Sequence, residues 1–453
     1  MDKGLTPISP MNTDKAKIGS VLSVEIGVKF YGVEMKLVRT FGRSKAAAAA
    51  LVETLEQRGA ANTAKVEPVV RRILADVRKG GDAALLRYAA KFDGLTKGHA
   101  LLVSREEMQA AWEETAPELQ AAMMVARGNI LAFAEAQKPK QWTISPADGV
   151  KTGQIVRPLG SVGCYVPGGR YPLPSTLLMT ATPAQVAGVE RIVVCSPKPA
   201  RETMAAAWLA GVTEFYRVGG AQAIAAMAFG TATIGRVDKI VGPGNLFVTA
   251  AKTIVSTECG IDMPAGPTEI VVTSETGDAA GIAADLVAQA EHDPEALPIL
   301  ITSNEALAKD VAAEVKRQAA KNTIAKQSLA AQGAIFVTES VAEARELTNR
   351  LAPEHLTVDA AVDLKWVHNA GSVFVGAYAP QSMGDYVSGP NHVLPTGRVG
   401  RVRGGLSVMD FVKVITVQEY TRKGLRKIGP HAIALAEAEG LVGHAESVRV
   451  RMR

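Results

Sequence analysis

The chain is short of cysteine, histidine, long apolar runs and net charge, and each shortage argues against a class of function. Its three cysteines, Cys164, Cys195 and Cys259, lie far apart without a C-x-x-C pair. That argues against a disulfide framework and a thiolate zinc site, and it fits the reducing cytoplasm. No apolar run reaches the roughly 18 residues that a membrane span requires, so no membrane partner is expected. With 50 basic and 45 acidic residues the formal charge is only +5, too slight a bias to imply nucleic acid. Small-molecule partners are expected instead. The first 34 residues carry Asp2, Asp14, Glu25 and Glu34, unlike a signal or transit peptide. No G-x-G-x-x-G occurs, so an ordinary Rossmann fingerprint is absent.

What is present reads as an α/β protein. A length of 453 residues with 47% hydrophobic and 21% charged residues is ordinary for a soluble chain of two or more domains. Residues 63–90 and 104–137 have helical spacing, the second opening with a capping box, Ser104 and Glu107. From about residue 160 short β-rich runs at 161–165, 191–195, 214–218 and 239–241 alternate with helices and Gly turns. A second set at 269–273, 299–302, 334–337 and 372–375 does the same, which predicts two parallel-sheet units rather than one large sheet. The segment 396–405, rich in Gly and Arg, breaks the rhythm and leads to a small helical C-terminal piece.

Four of the seven histidines fall in polar clusters: Gln289 with His292, Glu354 with His355, Asp385 with Asn391 and His392, and Glu439 with His444. Imidazole, carboxylate and amide oxygen suit a borderline divalent ion such as Zn²⁺, and a Glu-His pair suits proton transfer. Gln289 and His292 are three apart in a helical stretch and share a face. Glu354 and His355 are adjacent and would diverge on a regular helix or strand, so a loop or a first helical turn after Pro353 is expected to aim them. Asp385 and His392 are expected on a fixed loop. Three Gly turns, at 166–169, 218–222 and 241–245, follow strands and open helices, where backbone amides can approach a phosphate.

These residues, in this order, resemble the histidinol dehydrogenase family: Tyr165-Val-Pro-Gly-Gly169, Val218-Gly-Gly-Ala-Gln-Ala-Ile224, Gly242-Pro-Gly-Asn245, Ala265-Gly-Pro-Thr-Glu269, Gln289-Ala-Glu-His292, Ala352-Pro-Glu-His-Leu356, and Gly384-Asp-Tyr through Asn391-His-Val-Leu-Pro395. The resemblance runs from about Met35 to the C-terminus. It implies Zn²⁺ held by Gln289, His292, Asp385 and His444, with Glu354 and His355 catalytic. It implies NAD contacts from Tyr165, Gln222 and Asn245. Substrate contacts would come from Thr268, Glu439, His355 and the four metal ligands. The implied reaction oxidises L-histidinol to L-histidine through the aldehyde with two NAD⁺, in a homodimer with shared active sites. The implied architecture is two related Rossmann-like domains: 62–164 plus 268–396, carrying most zinc and catalytic residues, and 165–267, carrying the NAD turns. Residues 1–34 would be a loose extension, 35–61 a small helical piece, and 397–453 a linker with a small helical domain.

Thr268 stands where the family more commonly has Ser, which adds a methyl near the ligand. Arg398, Arg401 and Arg403 read as solvated surface rather than an anion site, and Cys164 and Cys195 as core. Two other readings compete: a paralogue oxidising another small alcohol such as a sulfonated diol, and a zinc hydrolase with Glu354 as base. Glu439 speaks against the first, because a carboxylate repels a sulfonate. The second leaves the Gly turns without a purpose.

Overall fold

Short runs such as Glu269-Ile-Val-Val-Thr273, apolar on both faces, form two six-stranded sheets in the computed structural model, which describes residues 35–58, 63–96, 98, 100–168 and 171–453. The expected N-terminal extension and Gly169 lie outside the described residues. The first sheet is wholly parallel, in the order Lys36–Arg39, Ala334–Val337, Leu297–Thr302, Glu269–Thr273, His355–Val358, Ser372–Val375. The second runs Leu102–Val103, Glu214–Tyr216, Arg191–Cys195, Ser161–Tyr165, Lys239–Val241, Gly260–Ile261, parallel except for its first strand. Helices bury both faces of each sheet in separate apolar clusters, which is why the strands lack an alternating polar face.

The sheets divide the chain differently from the expected domains. Helix Glu67–Tyr88 packs on helices Gly220–Phe229 and Leu246–Val255, and helix Pro117–Ala136 packs on Pro174–Ala187. Strand Ser161–Tyr165 lies inside the second sheet. Most of 62–164 therefore builds the second unit, not the first. Likewise Lys36–Arg39 is the edge strand of the first sheet, so 35–61 is not a separate helical piece. The helical stretch expected over 104–137 is two helices, Arg105–Glu113 with its Ser104–Glu107 capping box and Pro117–Ala136, because Pro117 opens the second.

A third sheet escaped the sequence reading. Trp142–Ala147 and Val150–Pro158 form a hairpin to which Val412–Tyr420 adds antiparallel. The C-terminal piece is thus a nine-residue strand followed by helices Arg422–Ala438 and Val442–Met452, which pack on one another. Val414, Ile415, Val417, Leu435 and Val442 on this arm, and Trp142 and Ile144 on the hairpin it joins, are all exposed. No helix among the described residues is long and apolar enough to cross a membrane.

Candidate active site

The chain crosses from the second sheet to the first between Ile261 and Glu269, and a cleft of about 890 Å³ opens along this crossover. The turns after the second sheet's strands supply Pro167, Pro243, Gly244 and Asn245. Residues at the starts of the first sheet's strands supply Thr268, Glu269, Glu354 and His355, while Gln289, His292, Gln381, Asp385 and His392 close the polar end.

His355 sits at the start of strand His355–Val358 rather than on a loop or helical turn. Its backbone register opposite Ile270 fixes the ring, a pairing across 85 residues that local sequence could not show. Ala352, in the left-handed region at φ 47°, ends the preceding helix, and Pro353 then directs Glu354 and His355 into the cleft. The His355 Nδ1 lies 3.0 Å from the Glu269 carbonyl oxygen. A carbonyl only accepts, so Nδ1 carries a proton. Nε2 is buried without a hydrogen-bond partner, 3.6 Å from Asp385 Oδ1. Burial pushes the ring's pKa down, but the carboxylates of Glu354 and Asp385 outweigh it and bring it up to about 10. Burial also opposes ionisation of Asp385, yet His355, with His392 and His292 beyond it, holds that carboxyl below its ordinary range.

Glu354 Oε2 accepts from the Thr268 hydroxyl at 2.6 Å and from the Glu269 amide at 2.8 Å. Thr268 in turn accepts from Gln289 Nε2, so one hydroxyl links Glu354 to Gln289. Gln289 ends helix Ala279–Ala290 and His292 follows on the turn closed by His292 N and Gln289 O, which brings both to the cleft. Asp385 lies in the short helix Gln381–Tyr386, not on a loop, because Pro380 initiates a helical turn there. His392 does lie on a loop, donating from Nδ1 to the Asp385 carbonyl at 2.8 Å with Nε2 3.1 Å from the Thr176 hydroxyl.

Amide oxygen, imidazole and carboxylate from Gln289, His292 and Asp385 suit a borderline divalent cation, and the unpartnered His355 Nε2 and Gln381 Oε1 beside them mark a polar site with spare capacity. Among the described residues no three His, Cys, Asp or Glu form a metal cluster. One reason is that Gln289 is of another type. The other is that His444, like Glu439, lies exposed on the C-terminal arm and does not line its own chain's cleft.

The second sheet's turns are held from behind. Tyr165 is buried, its hydroxyl accepting from the Gly220 amide at 3.1 Å. Gln222 is buried too and donates to Asp93 at 3.0 Å. Asn245 lines the cleft while its Oδ1 caps helix Leu246–Val255 through Phe247 N and Val248 N. A Cβ on Gly242, at φ 112°, would lie 2.2 Å from the Tyr165 carbonyl oxygen, so only glycine permits this approach of the two turns. The basic loop expected as solvated surface is partly buried and paired instead, Arg398 with Glu56 and Arg403 with Asp410. All three cysteines are buried and free, with thiols pushed up by burial, that of Cys164 to about 12.

The family model for histidinol dehydrogenase matches residues 56–452. The chain belongs to the histidinol dehydrogenase family. It is 47% identical over 401 residues to the histidinol dehydrogenase of Methanothermobacter thermautotrophicus, covering 85% of this chain and 93% of that one. Against the Gluconobacter oxydans histidinol dehydrogenase it is 47% identical over 410 residues, covering 88% and 95%. The crystal structure of histidinol dehydrogenase from Elizabethkingia anophelis superposes with a TM-score of 0.87 at 36% identity, covering 94% of this chain and 99% of that one. A histidinol dehydrogenase is an oxidoreductase, and the α/β architecture is the one the resemblance implied. Sequence reasoning assigned no role to Gln381, whose Nε2 contacts Gln289 and lies 3.5 Å from Asp385 Oδ2. A lone Gln after Pro380 carries no signal in one sequence. It also passed over Asp93 behind Gln222, which only the folded chain brings there.

Proposed function

We propose that this protein oxidises L-histidinol to L-histidine through histidinaldehyde, with Zn²⁺ and two NAD⁺, as a cytoplasmic homodimer in histidine biosynthesis. The observation that carries the reading is His355: a buried imidazole whose Nδ1 is committed to a carbonyl and whose Nε2 faces the cleft unpartnered, beside an anchored Glu354. Gln289, His292 and Asp385, with His444 of a second chain, would hold Zn²⁺, which would orient the amino and imidazole nitrogens of the substrate and undergo no redox change. Tyr165, Gln222 and Asn245 belong to the turns that would hold NAD⁺, the hydride acceptor in each oxidation.

Each step then asks one thing of this chain. His355 Nε2 takes the hydroxyl proton as the carbon loses hydride. A cation held by Asp385 would share that carboxylate's charge and weaken the field that keeps the ring protonated, which would leave Nε2 available as a base. In the second oxidation Glu354 removes a proton from the water that adds to the aldehyde. Thr268 and the Glu269 amide hold Oε2, so the carboxylate cannot rotate away. Glu439 from the second chain would accept from the substrate's imidazole N–H. The exposed apolar arm supports pairing, since a strand and two helices of this size cannot bury a core of their own.

Two outcomes test this reading. Chelation is expected to abolish turnover and added Zn²⁺ to restore it; full activity in metal-free protein would end the assignment. Gln222→Ala, and Asn245→Ser, which keeps a helix-capping oxygen, are expected to weaken NAD⁺ binding in calorimetry while bound zinc is unchanged. Unaltered binding in both would move the cofactor elsewhere.

A further inference from the structure

The end of strand Arg191–Cys195 lies between the turns that follow its two neighbours, Ser161–Tyr165 and Glu214–Tyr216. Its continuation, Ser196-Pro197-Lys198, is wedged there: a Cβ on Gly168 would lie 1.9 Å from the Pro197 carbonyl oxygen, and one on Gly219 would lie 2.5 Å from Pro197 Cγ. Ser196 is buried, its amide donating to the Tyr216 carbonyl at 3.0 Å. Lys198 is the first exposed side chain beyond this wedge. Its backbone takes φ 45°, a left-handed conformation that Lys seldom adopts. That turn lays the side chain over Gly94, where a Cβ would come within 2.9 Å of Lys198 Cε and 3.2 Å of Nζ. Below lies the buried Asp93, which accepts from Gly219 N and Gln222 Nε2, each at 3.0 Å. The ammonium thus stands at the strand edge, above the turn that contains Gln222.

In doubly wound sheets that bind dinucleotides, the first strand's turn takes the pyrophosphate. A carboxylate at the end of the next strand bonds the adenosine ribose 2′-hydroxyl and repels a 2′-phosphate, whereas a cation nearby accommodates one. Here the first strand is Ser161–Tyr165 and the next is Arg191–Cys195. The reading place therefore holds Ser196, Pro197 and Lys198, with no carboxylate among them. Asp93 does not supply one: it is buried beneath the turn, its Oδ2 holds both donors, and Lys198, whose charge acts on it, stands between it and solvent.

We propose that Lys198 contacts the adenosine ribose end of the dinucleotide and lets this protein take NADP⁺ as well as NAD⁺. The inference rests on the reading that the second sheet's turns bind the cofactor. The probes are adenosine 2′,5′-bisphosphate and adenosine 5′-phosphate, titrated by calorimetry into the zinc-loaded protein. The wild type is expected to bind the bisphosphate about tenfold more tightly, the scale of one charge-assisted hydrogen bond. Lys198→Ala should erase that preference, and so should Lys198→Asn, which tolerates the left-handed backbone. Turnover with NADP⁺ should fall in both variants, while zinc content and the KM for histidinol stay constant. Equal binding of both probes by the wild type, with Gln222→Ala still weakening NAD⁺, would overturn the role of Lys198 alone. No binding of either probe, with Gln222→Ala without effect on NAD⁺, would overturn it together with the cofactor site.

Discussion

Replacing His355 with Asn is expected to slow the oxidation of histidinol and of histidinaldehyde alike, by roughly 10²–10⁴-fold, the usual loss for a general base. Asn can still donate to the Glu269 carbonyl that His355 Nδ1 meets at 3.0 Å, so the strand start should keep its shape. What disappears is the lone pair at Nε2, the buried atom with no partner. Both oxidations remove a hydroxyl proton as hydride departs, hence the equal loss. Glu354→Gln should divide the steps. The amide preserves an acceptor for Thr268 and Glu269 but cannot take a proton from water, so aldehyde oxidation should suffer more than alcohol oxidation. Each variant must be assayed on each substrate separately, with zinc content measured. Equal losses in the two steps for Glu354→Gln would remove the water-activating role.

Mixed dimers should recover activity that neither parent has. His292 lines its own chain's cleft, and His444 sits on the exposed arm away from it, so each complete site would draw one residue from each chain. His292→Ala and His444→Ala should each be nearly inactive, because a three-ligand remnant holds the cation poorly. In a heterodimer of the two, one site carries both defects and the other carries none. About half of randomly paired dimers are mixed and each has one good site of two, so about one quarter of wild-type activity should return. A purified, folded heterodimer without activity would return His444 to its own chain's site.

The strands were the most legible part of the chain. Runs such as Ser161–Tyr165, Arg191–Cys195 and Ala334–Val337 are bounded by turn residues and apolar on both faces, so their observed limits follow from composition. What escaped depends on partners distant in sequence. Val412–Tyr420 is a strand because Val150–Pro158 is there to pair with it, and helix Glu67–Tyr88 joins the second sheet because two later helices offer it an apolar face. His355 read as a loop or helical-turn residue for the same reason: its strand exists only between Glu269–Thr273 and Ser372–Val375. At the candidate site the chemistry-bearing residue types were visible, since Gln, Glu, Asp and His are rare in such clusters. The supports were not. Nothing local marks Gln381 as the neighbour of Gln289 or Asp93 as the anchor of Gln222.

The central claim, a four-electron oxidation at one site, is tested most directly by stoichiometry. Zinc-loaded protein is given a limiting amount of L-histidinol and excess NAD⁺, and NADH and histidine are both quantified at completion. The account predicts two NADH and one histidine for each histidinol consumed, with no free aldehyde accumulating. One NADH per histidinol with histidinaldehyde as the end product, or no NADH at all, would contradict it.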